Sequence, residues 1–176
     1  MQLRADIQLQ TAIRALTEVV APALDSNNAM AVEQLQIVIG MLHLVAAQLP
    51  LQARYDRDEL ARLLELGLAL VAAVDRAAHA PVITSLTAAG TTGETVLSHR
   101  DSNIADILSV IRELRTHTGA LISAIFCDGN DTERERVMAL VLAHADAQLL
   151  RERAWVATMG WESRPESVPS IIDLLK

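Results

Sequence analysis

Apolar residues recur at helical spacing along most of the chain, and no stretch shows the period-two alternation of a half-buried strand. The first run spans about Leu3 to Ala21. Ala5, Leu9, Ala12, Ile13, Leu16, Val19 and Val20 share one side, with Gln10, Arg14 and Glu18 opposite. Asp25-Ser26-Asn27-Asn28 then supplies a turn and a cap for a second helix, about Ala29 to Leu49, which Pro50 stops. Asp56 and Glu59 have capping-box spacing and start a third helix that continues to about Ala80, before Pro81. Val82 to Ala89 adds one or two turns at most. Ala88 to His99 holds two Gly and four Thr or Ser with little periodicity, and reads as the longest loop and the most mobile segment.

Asp101, Ser102 or Asn103 caps a fourth helix, about Ile104 to Cys127, whose apolar sector centres on Ile104, Ile107, Ile111, Leu114, Leu121 and Ile125. The turn from Cys127 to Asp131 caps a fifth, about Thr132 to Met159. Its main stripe is Met138, Val141, Leu142, Ala145, Leu149 and Val156, with Val137, Leu140, His144 and Trp155 to one side. Pro165 and Pro169 break the tail. Ser170 to Leu175 packs four large aliphatics into six residues, too dense to leave in water, and predicts a docked helical turn. Short connections between long helices imply an all-α antiparallel helical bundle of four to five long helices. Residues 1–160 form one domain in this reading, and 161–176 a C-terminal tail that docks on the bundle or on a partner subunit.

Composition agrees. Ala (28) and Leu (26) make up nearly a third of the 176 residues, whereas aromatics are 2%. The formal charge of −7 opposes binding to nucleic acid or to an anionic membrane surface. The lone Cys127 forms no internal disulfide, and Met1 to Asp6 lacks a signal-peptide core, so the expected compartment is the cytoplasm.

The second helix is the most informative segment. Its non-apolar positions collapse onto one stripe, Glu33, Gln36, Gly40, His43 and Ala47, and large aliphatics cover the rest of its girth. Such a helix must be buried on several sides: as the central helix of the core, or against another subunit. Its apolar part, Leu35 to Leu49, is 15 residues and includes Gln36, His43 and Gln48, too short and too polar for a membrane span. The stripe is either a thin solvent strip or the lining of a pocket. In the pocket case Glu33, Gln36 and His43 are the ligand-binding groups, with Met30 and Met41 as adaptable walls. The third helix adds a row of alanines, Ala61, Ala69, Ala72, Ala73 and Ala77, which lets another helix approach closely.

Catalytic and metal signals fail on spacing. A di-metal bundle site needs Glu-x-x-His, and the chain offers only Glu113/His117 and Asp75/His79 four apart, the geometry of an ordinary helix-surface pair. Gly90-Thr91-Thr92-Gly93-Glu94 lacks the strand and the Lys of a phosphate loop. Asp128 to Asp131 begins like a calcium loop but lacks its central Gly and closing Glu, so capping is the better reading. His99-Arg100-Asp101-Ser102-Asn103 reads as local capping, and Cys127 as a buried helix-end residue. No catalytic residue, metal ligand or cofactor is assigned. The leading function is a helical interaction or accessory module, a homodimer or one half of a protein pair. Alternatives are an apolar-ligand-binding protein or enzyme with a core pocket at the second helix, and a metal-dependent bundle enzyme using His43, His79, His117 or His144.

Overall fold

The computed structural model describes residues 4–160 and 162–175, and among these it is all-α, without a strand. Six long helical segments occur rather than four to five. α1 is Ala5–Ala15, continued through a π-helical stretch Leu16–Val20 into Ala21–Ala23. α2 is Ala29–Gln48, α3 Gln52–Ala73, α4 Ala80–Ser98, α5 Ile104–Asp128 and α6 Asp131–Trp155. 3₁₀ turns at Ala157–Met159 and Pro165–Ser167 lead to the short α7, Ile171–Leu174. Leu3, the expected start of α1, lies outside the described residues.

Contacts cluster into two compact units. One comprises Met1–Gln52 with Arg151–Leu174, the other Ala53–Leu150 with Leu175–Lys176. The contiguous core belongs to the second. Leu60, Leu64 and Leu70 of α3, Ile83 and Leu86 of α4, Ile107, Leu114, Leu121 and Ile125 of α5, and Val137 of α6 form one cluster shielded from water.

The apolar sector of α5 is as expected, except that Ile104 at its first turn is exposed. Asn103 is the cap, its Oδ1 accepting from the Ala105 N–H at 3.0 Å. The turn into α6 is a reciprocal capping box: Asn130 Oδ1 accepts from the Glu133 N–H at 3.0 Å, and Glu133 Oε2 from the Asn130 N–H at 3.2 Å. Gly129 is required there, because a Cβ would stand 2.6 Å from the Ile125 carbonyl oxygen.

Several expectations are corrected in this unit. The expected loop at Ala88–His99 is the C-terminal half of α4, whose antiparallel hairpin with α5 carries Ala89 and Gly93 into the core. Gly93 is where neighbours come closest: an added Cβ would meet Leu64 at 3.0 Å and Val110 at 3.2 Å. The threonines that suggested a loop bond back into their own helix, Thr91 to the Thr87 carbonyl and Thr95 to the Thr91 carbonyl. Arg57 of α3 donates to the carbonyls of Leu97 and His99, satisfying two acceptors that the end of α4 leaves open.

α3 starts at Gln52 rather than at Asp56, which is buried inside the helix and is no cap. It also ends at Ala73, seven residues before the expected stop. Pro81 does not terminate it but opens α4, at a first-turn position where a missing N–H is tolerated.

α6 corrects a face. Met138, Leu142, Ala145 and Leu149, expected inward, are exposed, whereas Val137 is fully buried and Leu140 and His144 half-buried. Cys127, expected to be buried, is also exposed.

In the first unit, α1 departs from its ideal wheel. Pro22 has no N–H, and its ring presses on the carbonyl four residues back, so the preceding turn widens and the Ala21 N–H bonds Leu16. The extra residue rotates the end of the helix, and Val19 and Val20 leave the apolar side for solvent. Ile13 remains buried. α2 is capped as expected, Asn28 Oδ1 accepting from the Ala31 N–H at 3.1 Å. Its inward row is Val32, Leu35, Ile39, Leu42 and Ala46, and it touches α1 and the Ala157–Met159 turn. Gln48 Nε2 donates to the Trp155 carbonyl at 3.0 Å. Arg153 holds Glu162 through two bonds of 2.8 and 2.9 Å. That pairing holds the Glu162 carboxyl below its usual range.

The tail forms its helical turn. Ile171 and Leu174 are half-buried and Ile172 is exposed. Leu175, in the second unit, is buried, its carbonyl accepting from Arg54 at 2.5 Å.

Candidate interaction surface

α2 is the most apolar helix of the chain and is almost unburied. It is long and apolar enough, by length and composition, to cross a membrane, yet only 6% of its most apolar window is buried. Ile39 is its single buried residue, which overturns the expectation of a central core helix. Three faces explain this. The inward row occupies one side. The polar stripe, with Glu33, Gln36 and His43 all exposed, occupies a second. The third presents Met30 (75% exposed), Ile37, Val38, Met41 (55%), Val45 and Leu49 to solvent. Roughly 500 Å² of surface lies open in this run, within the range of a monomer's largest patch.

Of Glu33, Gln36 and His43, His43 borders a cleft. An open cleft of about 540 Å³ lies beside His43, but its other walls are α1 residues, mainly Asp6, Gln10, Thr11, Arg14, Thr17 and Glu18. Glu33 and Gln36 are not among them. Arg14 and Glu18 pair with each other across the cleft wall at 3.5 Å. Ile7 and Ile13 also line it, so this is an open surface groove of mixed character rather than a closed apolar chamber in a bundle core.

In the second unit the exposed row of α6, Met138, Leu142, Ala145 and Leu149, has the four-three-four spacing of a helix-pairing seam. A smaller groove of about 260 Å³ has Leu64, Leu86 and Leu114 as its floor, with Arg76 and Glu94 at the rim. Gly90 and Thr91 line it as helical residues rather than as a lid.

The sequence also missed a polar junction. Asp75 and His79, spaced as a surface pair, lie in the α3–α4 turn, where His79 is buried and its Nε2 stands 3.9 Å from Glu133 Oε2. Glu133 Oε1 accepts from the Asp75 N–H at 2.7 Å, so one buried carboxylate ties that turn to the start of α6. This bond, aided by the Asn130 N–H and His79 and opposed by burial, holds the Glu133 carboxyl below its usual range. The signal was the Asn130…Glu133 capping spacing; the link to residue 75 has no local trace.

The His99 ring makes local contacts, Nδ1 lying 2.7 Å from the Thr95 carbonyl. His117 and His144 are half-buried. Among the described residues no three His, Cys, Asp or Glu side chains gather as metal ligands. Compared with protein-family models, curated proteins and solved structures, the chain matches none.

Proposed function

We propose that the protein is a helical interaction module that self-associates in the cytoplasm. The observation that carries this is the outward face of α2: large aliphatics with no charge from Gln34 to Ala53, left open to water. Water opposes such a surface by roughly 25 cal/mol per Å², and a partner relieves it. The exposed seam of α6 supports the same reading from the second unit.

A bilayer is the poorer occupant. α2 packs along α1, so insertion would carry the exposed Asp6, Arg14 and Glu18 of α1 into hydrocarbon.

Sedimentation velocity of wild type and Met41→Glu over a micromolar dilution series tests the proposal. The expected result is a dimer that the variant converts to monomer with unchanged helicity. A wild-type monomer throughout, or recovery of the protein with membranes, would sink it.

A second reading, a small ligand in the cleft beside His43, has that cleft's volume in its favour. It requires that a retained ligand appear in native mass spectra and vanish in His43→Ala.

A further inference from the structure

Most of the outward face of α2 keeps its exposure when read backwards, Ile37 with its inward mirror Leu42 being the exception. Met30, Gln34 and Val38 stand as far before the Ile39–Gly40 midpoint as Leu49, Val45 and Met41 stand after it. All six lie on the exposed side, and five are large and apolar. We infer that α2 pairs antiparallel with α2 of a second copy about a twofold axis at that midpoint, an inference that rests on the self-association proposed above. Met30 then meets the partner's Leu49, Gln34 the partner's Val45, and Val38 the partner's Met41.

Three physical arguments favour this arrangement. A twofold interface must be self-complementary, and a face symmetric about its own midpoint meets that condition without further shaping. Antiparallel packing sets each helix N-terminus beside its partner's C-terminus, whereas parallel packing aligns two like dipoles. Area reaches the threshold as well: covering the roughly 500 Å² on each copy buries on the order of 1,000 Å², the lower bound for a specific interface. No charge on the face has to be desolvated.

Cross-linking reads the register directly. In a Cys127→Ser background, which removes the native exposed thiol, Met30→Cys and Leu49→Cys are made separately, one with an affinity tag. They are treated with a short bismaleimide alone and after mixing. Positions 30 and 49 are about 28 Å apart along one helix at 1.5 Å per residue. Covalent dimer in the mixture and none in either variant alone is the expected result. Self-cross-linking of Met30→Cys alone would mean a parallel pair and overturn the inference. A dimer by sedimentation that never cross-links would place the contact elsewhere, overturning the inference but leaving self-association intact. A wild-type monomer would remove both. Co-flotation of wild type with phosphatidylcholine vesicles would assign the face to lipid instead.

Discussion

α2 in the first unit and α3 in the second are nearly equal in length and opposite in use. α3 carries Arg54, Asp56, Arg57, Asp58, Glu59, Arg62 and Glu65, yet ten of its residues are buried. α2 carries one charged residue, Glu33, and buries one residue. Hydrophobic content therefore does not rank the helices by burial. α3 gathers most of its aliphatics into one broad sector that faces α4 and α5, so Leu60, Leu63, Leu64, Leu66 and Leu70 add to a shared core while Leu68 stays exposed. α2 spreads its aliphatics round most of its circumference, and the elements beside it cover only one side. What remains is surface, and its cost is the argument for a partner.

The contrast breaks first in the core. Leu121→Ala, at a fully buried site in the second unit, is expected to lose about 2–5 kcal/mol in a denaturant titration. A loss below about 1 kcal/mol would mean that the cluster is not close-packed. Gly93→Val should cost about 1–3 kcal/mol, because its branches would drive into Leu64 and Val110. Gly90, with open space at its Cβ position, should behave in the opposite sense. Gly90→Ala is expected to gain about 0.5–1 kcal/mol of helix stability, and a loss would show that the α4 backbone is not helical there.

Glu133 sharpens the comparison through pH. Its carboxyl is held below the usual range, so its stabilisation is present at neutral pH and lost as pH falls through about 4.3 toward the depressed value. Glu133→Gln should melt lower than wild type at pH 7, with the gap closing on acidification. A gap that widens in acid would contradict this. Smallest of all, Met41→Ala should change the folding stability of dilute protein by less than about 0.5 kcal/mol, as for other exposed sites. Amide exchange completes the set: Ala89–Gly93 should be as protected as α5, and α2 of dilute protein should exchange faster than α3.

The helical class, the caps at Asn28, Asn103 and Asn130, and the inward sector of α5 were legible in the sequence. Each depends on local spacing or on bonds between residues two or three apart, and local chemistry is written along the chain. The α4 segment was not legible. Gly and Thr are weak helix formers, and only the α3 and α5 neighbours, with threonine hydroxyls turned back on their own helix, make Gly93 an asset. The face of α6 was equally hidden, because apolar residues line both its buried and its exposed sides, and only the packed neighbours select Val137 over Leu142. The stripe of Glu33, Gln36 and His43 was visible as a stripe, but whether it bordered a cleft depended on α1, which forms one with His43. Periodicity along one helix determines that its faces differ. Which face is covered depends on what packs against it, and α2 is the case where the neighbours in its own unit cover one side.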